Sequence, residues 1–462
     1  MPIAEITTAF QQRTLEIDCV EMVLTQSASA NPIVHKGKGY IRQDTNDVLT
    51  FKIYATETRN LTPFDSFKSS LGATAGQLFS PSDFFDLSAT SNEGTVWHAE
   101  RIIPRYNWTV GHDPIVLGNI GLLYIAQSLA ESRHFVQIHF FDHVDLPHTL
   151  ATKSEIDGHV TVNRDTSKFV AVGADFVVRT RNGAVVVEAT SDNAMNGEIH
   201  TRIQEALAFL TAKPLSWRVL IRRDGHNQRI ELSSATPKSP TTRLDPPVSP
   251  GYQGFLEHGW RLFSLYLDYI IKVTPHPYWN HCSYHLHNAC EASANSIDAW
   301  AVGVSVALEG IATLINVERT DKERDTVAKL RCWVLKQLAS HEEFLHLQKR
   351  LSGLLGMLDN DRVQDRLAPL VASGHVRDEH LRAWSRLRNR HVHPKVIDLR
   401  NAANRDFQEL FDLINKTTVL MYHVVFYLIG YEGPYTDYGT HRYPPGNYPT
   451  VSGPSDAKST SE

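Results

Sequence analysis

The sequence predicts an α+β chain: a β-rich N-terminal domain followed by an all-α helical bundle. Three observations predict it. Short alternating apolar and polar runs, separated by turn residues, dominate the first half. The stretch SSATPKSPTTRLDPPVSPGYQG at 233–254 is rich in Pro, Ser and Thr and carries no apolar period. Beyond it, almost every segment repeats its apolar residues at helical spacing. The expected organisation is therefore a β-rich domain at 1–232, a linker at 233–254, a helical domain at 255–438 and a tail at 439–462.

The elements follow in chain order. Gly39–Ala55, GYIRQDTNDVLTFKIYA, holds two alternating runs around Asp-Thr-Asn-Asp, a hairpin signal. His134–Phe141, His159–Asn163, Phe169–Val178 and Ala184–Ala189 read as further strands. In ADFVVRTRNGAVVVEAT, the Asn182-Gly183 pair marks a tight hairpin. One helix interrupts this half, Glu198–Ala212, with Ile199, Ile203, Ala206, Leu207 and Leu210 on one face. A last strand is expected at Trp217–Arg222. Past the linker, helices are expected at Phe255–Ile271, Ala299–Val317, Lys322–Ser340, Glu342–Leu358, Asp361–Ser373, Asp378–His391 and Asn404–Ile429. HCSYHLHNAC alternates Cys282, Tyr284 and Leu286 against histidines and reads as a strand or extended loop. After Glu432 the chain reads as coil.

Composition excludes several classes. The 462 residues carry a net charge of −5, so nucleic-acid binding over the whole surface is not expected and any such contact must rest on a local patch. No run approaches the roughly 20 apolar residues of a membrane span. The N-terminal MPIAEITTAFQQRTLEIDCVEM lacks a basic start followed by an apolar core, so a cytoplasmic protein is expected. Four cysteines do not make a disulfide framework in so long a chain. His281, Cys282, His285, His287 and Cys290 are too compactly spaced for a two-clip zinc site, so neither metal nor cofactor is expected. Asp175 and Glu188 mimic part of a metal-nuclease pattern, but Thr190 stands where that pattern needs Lys. There is no phosphate-binding Gly loop, dinucleotide fingerprint or G-x-S-x-G elbow.

LRAWSRLRNRHVHPKVIDLR, from Leu381 to Arg400, is the candidate site. With 30 Arg and 23 His, an Arg followed by His after four to six residues arises by chance roughly four or five times, and five such pairs occur. Context selects one. Arg388 is followed by a polar residue, Asn389, and lies at the end of a helix in the all-α half. Leu381, Trp384 and Leu387 form the buried stripe of that helix, with Arg388 at its edge. Pro394 biases the preceding residue out of helical geometry, so the helix should end near His391–His393 and let His393 turn back toward Arg388. An arginine fork suits phosphate oxygens, and an imidazole suits proton transfer near neutral pH. Eight basic residues against three acidic ones between Arg377 and Arg405 make a local footprint for a polyanion, with Arg386, Arg390 and Lys395 as RNA-binding candidates.

LRNRHVHP resembles the Arg-x4–6-His motif, with its polar second residue, of the HEPN family. LIGYEGPYTDYG and VSVALEGIATLI resemble segments of the ApeA-like branch of that family, and the resemblance covers roughly Phe255–Tyr438. It implies a helical-bundle domain of the kind found as metal-independent endoribonucleases in bacterial toxins and antiphage systems. Arg388, Asn389 and His393 would be catalytic, with His391 as a second imidazole beside them. Glu309 would hold Arg388. The resemblance also implies a homodimer whose two motifs share one cleft, and RNA, tRNA among the candidates, as substrate. The β-rich domain would then bind a phage-derived or cellular trigger. The competing reading is a non-catalytic dimerisation or RNA-binding helical module joined to a ligand-binding β domain.

Overall fold

The chain is α+β. The computed structural model describes residues 2–60, 79–108, 114–156, 159–181, 183–235, 241–316, 321–339, 345–356, 362–392 and 404–449, with the backbone alone at 391–392 and at several other helix and strand ends. It divides into two compact units: Met1–Gln204 with Leu215–Lys238, and Glu205–Pro214 with Ser239–Glu462. The division falls inside the Pro-rich stretch. The end of the helix at Ile199–Thr211 counts with the second unit.

The first unit begins with α1 (Ile3–Gln11) and continues through β1 (Glu16–Gln26), β2 (Val34–Gln43), β3 (Leu49–Arg59), β4 (Phe85–Ser91), β5 (Val96–Ile102), β6 (Arg105–Asn107), β7 (Ile115–Ile120) and β8 (Leu122–Ser128). β9 (His134–Phe140), β10 (Leu150–Ile156), β11 (His159–Ala171), β12 (Ala174–Arg181), β13 (Ala184–Ser191), α2 (Ile199–Thr211), β14 (Trp217–Asp224) and β15 (Asn227–Ser233) complete it. Its strands join in the order β10-β11-β12-β13-β9-β14-β15-β8-β5-β4-β1-β2-β3-β7-β6. Alternation sets the faces: Leu49, Phe51 and Ile53 of β3 point inward, with less buried residues between them. These side chains share one core with Phe10 of α1, Leu24 of β1, Leu123 of β8 and Ile221 of β14. Residues from mid-sheet and from near one edge can meet only if the sheet curls around its own apolar face. Each large side chain so buried contributes about 1.5–3 kcal/mol.

Phe169–Val178, expected as one strand, is two. Val172 and Gly173 both take positive φ (48° and 75°) and form the turn between β11 and β12. Both central residues at positive φ match a primed turn, whose twist suits a hairpin. The valine hides the turn, because its side chain favours strands.

The second unit contains α3 (Gln253–Val273), α4 (His281–Ser293), α5 (Ile297–Ala312), α6 (Asp321–Ala339), α7 (Leu345–Gly356), α8 (Val363–Ala372), α9 (Asp378–Val392), α10 (Asn404–Ile429), β16 (Gly433–Thr436) and β17 (Pro445–Tyr448). α10 is its centre. From Thr417 to Phe426 every residue is buried, and α3, α5 and α9 pack against it.

Two expectations are corrected here. HCSYHLHNAC is helical, not extended. The Asn280 side chain caps α4, accepting from the Cys282 and Ser283 amides at 2.8 and 3.4 Å. Cys282, Leu286, Ala289, Cys290 and Ser293 then fall on the buried face at helical spacing, while Tyr284 is exposed. The chain after Glu432 is not all coil: β16 and β17 pair as a hairpin, with Gly433 opposite Tyr448. Tyr431 and Tyr448 bury their rings beside Phe426 and Tyr435 buries its ring against His423, which holds the hairpin on α10. Among the described residues, no helix is long and apolar enough to cross a membrane.

Candidate functional site

α9 opens with Asp378 and Glu379, acids that suit the positive end of a helix. Its buried stripe is His380, Ala383, Trp384 and Leu387, spaced i, i+3, i+4 and i+7. Leu381, expected in that stripe, is only half-buried, one position round the helix from His380. The stripe packs on α10 and α5. Arg388 follows Leu387 and emerges at the stripe's edge. Its Nε donates to Oε1 of Glu309 on α5, a charge-assisted bond between two partly exposed side chains. The sequence-selected arginine and glutamate are therefore in contact across two helices.

The other candidates divide. Asn389 is exposed and Arg390 half-buried on the last turn of α9. Exposed Arg386 donates through Nη2 to Glu409 of α10 at 2.6 Å. Only the backbone of His391 is described, and His393 and Lys395 lie outside the described residues. The basic footprint is not a field of unmatched charge. Arg377 pairs with Asp437 at 2.9 Å, Arg382 with Asp378, Arg386 with Glu409 and Arg388 with Glu309. Counting charges in one window could not reveal this, because three of the four acids come from other elements.

α4 closes the far side of α5. Gly303 and Gly310, two turns apart on α5, lie under Ala292 and the His285 ring of α4, and a Cβ at either glycine would collide with them. The His285 imidazole thus rests on the backbone one residue from Glu309. Burial lowers its pKa below the usual 6.5, and the neighbouring His281 lowers it further. Sequence reasoning weighed His285 only as a zinc ligand. The available signal was the glycine following Glu309 in an otherwise apolar helix.

Elsewhere in this unit, the segment YEGPYTDYG fastens elements together. Asp437 accepts from Arg377, Tyr435 accepts from the same guanidinium at 3.2 Å, and the Tyr438 hydroxyl donates to the Pro246 carbonyl at 2.9 Å. His380 and His423 lie behind it with ring centroids 6.0 Å apart. Burial pushes His380 down to about 4 and lowers His423 well below its ordinary value. Cys282 and Cys290 are buried thiols pushed up to about 12, protonated and unsuited to metal. Among the described residues, no cluster of three or more His, Cys, Asp or Glu side chains could hold a metal ion.

In the β unit, Glu188 is committed to Arg179 at 2.8 Å and Gln137 at 2.9 Å, and Asp175 is exposed opposite Thr190. An open cleft of about 680 Å³ lies between α2 and strands β8, β14 and β15. Glu198, His200, Arg222, Gln228, Arg229 and Glu231 line it. Burial pushes His200 down to about 4, and Arg222 and Arg202 add to the effect. Glu231 is raised by burial although Arg229 stands 2.5 Å away.

Comparison with known protein families, with characterised proteins and with solved structures finds no match.

Proposed function

We propose that the helical unit is a metal-independent endoribonuclease of the HEPN type, acting in a toxin or antiphage system as a homodimer. The observation that carries this reading is the Arg388–Glu309 pair, which fixes a guanidinium at the end of α9 where RNRHVH begins. Held from one side by a carboxylate, the guanidinium keeps its remaining N–H groups for phosphate oxygens. RNA supplies the 2′-OH nucleophile. The protein need only move two protons and stabilise the crowded phosphorane. Arg388 would meet the phosphorane, His393 or His391 would transfer a proton, and Asn389 would orient the phosphate or the imidazole. The products would be a 2′,3′-cyclic phosphate and a 5′-hydroxyl.

The polar cleft of the β unit, with cationic and anionic walls, suits a small polar trigger of phage or cellular origin. Cleavage of total RNA and of tRNA in EDTA by wild type, Arg388→Ala, His391→Ala and His393→Ala tests the assignment. Loss of cutting in Arg388→Ala and in one histidine variant supports it, and undiminished cutting by Arg388→Ala overturns it. One observation favours a second reading, a non-catalytic RNA-binding or dimerisation module: four arginines of α9 and its approach are already matched by carboxylates. Wild type that binds RNA but never cuts it would establish that reading instead.

A further inference from the structure

Resting on the reading of the β-unit cleft as a ligand site, and independent of the chemistry of the helical unit, we propose that the cleft binds a zwitterion, a short peptide with both ends free. Its carboxylate sits on Arg222 and its ammonium between Glu198 and Glu231. The cleft lies wholly within the first unit. Strand register supplies its floor. Arg222 on β14 stands opposite Arg229 on β15, and Arg229 opposite Ala126 on β8. Leu220 stands opposite Glu231, two residues along, so all these side chains share one face of the sheet. The approach to α2 covers that face. Arg222 Nη1 donates to the Gly197 carbonyl, and Glu198 and His200 line the cleft beside it. At about 680 Å³ the cleft has the size of a small-molecule site.

The charges lining the cleft are unevenly matched, and the mismatch sets the ligand. Glu231 accepts from Arg229 at 2.5 Å, and that guanidinium also lies over the Tyr124 ring, 3.8 Å from its centroid. Burial raises the Glu231 pKa in spite of Arg229, and the like charge of Glu198 adds to the effect. Glu198 itself has no ion-pair partner among the described residues. Two carboxylates therefore share one guanidinium, and an ammonium placed between them restores the balance. Arg222 is short of an anion at the other end. Its bond to Gly197 goes to a neutral carbonyl, and Asp224, more than half exposed, stands 4.0 Å off. His200, kept neutral by burial, adds no charge there. The remaining N–H groups of Arg222 suit a ligand carboxylate.

Register also sets the length. Arg222 and Glu231 are diagonal neighbours on adjacent strands, so their Cα atoms lie about 7–8 Å apart. Extended peptide advances about 3.3–3.6 Å per residue, so a dipeptide carries its two end charges at about that separation. Leu220 and Ala126 give the floor an apolar surface for a side chain. A phosphate alone would leave Glu198 and Glu231 repelling it, and an amine alone would leave Arg222 unmatched.

The test is isothermal titration calorimetry of the full-length protein with four probes: alanyl-leucine, its N-acetyl derivative, its C-terminal amide and inorganic phosphate. The free dipeptide should bind, and blocking either end should weaken binding about tenfold or more. Arg222→Gln should lose the preference for the free dipeptide over the amide and keep the preference over the N-acetyl derivative. Glu198→Gln should do the reverse, a crossed pattern that a general loss of fold does not produce. Should either variant fail to fold, the ranking of the four probes by wild type still decides. An amide, an N-acetyl derivative or phosphate that binds as tightly as the free dipeptide overturns the zwitterion and leaves the cleft a ligand site. No binding of any probe up to about 10 mM overturns the reading of the cleft as a ligand site, and the proposal with it.

Discussion

Replacing Glu309 by Gln should separate the work of the Arg388–Glu309 pair on fold from its work on chemistry. The side chains are 41% and 32% exposed, so solvent screens the pair. Pairs of that exposure contribute up to about 1 kcal/mol to stability. For a unit of this size that corresponds to a melting shift of roughly 2–4 °C. The rate is more sensitive. A guanidinium released from its anchor explores several rotamers, and a misplacement of about 1 Å can cost on the order of 10²-fold, equivalent to about 2.7 kcal/mol of barrier. Glu309→Gln should therefore melt within a few degrees of wild type while its single-turnover rate drops about 100-fold. A double-mutant cycle completes the assay. In an Arg388→Ala background Glu309→Gln should cost nothing further, because no guanidinium remains to be positioned. Equal losses in both backgrounds, or a melting drop large enough to explain the rate, would refute the reasoning.

Further outcomes follow from the same geometry. Leu387→Ala removes a fully buried side chain between α9 and its neighbours and should cost about 2–5 kcal/mol, read by urea unfolding. His380 and His423 have lowered pKa values in the fold, so the unfolded chain binds more protons as pH falls below about 6.5. The stability they contribute is full above that pH and is lost as pH falls, down to about 4 for His380, with a slope of up to about 1.4 kcal/mol per pH unit for each histidine. Among the described residues neither ring nitrogen of His423 has a hydrogen-bond partner, and the ring lies among Tyr435, Tyr448 and Phe426. His423→Phe should accordingly preserve the melting temperature at pH 7.5 and flatten its fall between pH 6.5 and 5. Glu409→Gln should release Arg386 and change stability by less than about 0.5 kcal/mol. RNA binding should tighten at low salt, with the slope of log affinity against log salt steepening by about 0.7; an unchanged slope would show that Arg386 meets no phosphate.

Much of the candidate site was legible because its signals are local. The run from Asp378 carries an acidic first turn and an apolar stripe at helical spacing, and these alone place Arg388 at the edge of a buried face. The β-rich half was legible wherever alternation was clean, as at β9 and through most of β13, and at the short apolar run of β14. It was illegible at α1, β1, β4 to β8, β10 and β15, which no expectation covered. It also failed at Val172-Gly173, where a strand-favouring residue occupies a turn. HCSYHLHNAC was misread because an alternation of three residues fits period 2, whereas the Asn280 cap and a buried face extending to Ser293 belong to a longer period.

What the sequence alone determined, then, is the α+β class, the position of most helices and the choice of Arg388 and Glu309. The first two rest on period, capping and turn chemistry, which act within a few residues; the choice of Arg388 was sharpened, and that of Glu309 supplied, by the family resemblance. Only the tertiary structure decided that Arg388 meets Glu309, 79 residues away in the chain, and that acids from other elements match the arginines around it. It alone set the His285 ring on Gly310 of α5. Contacts between distant residues depend on how closely helices approach, and here a missing Cβ on α5 makes the room for an imidazole.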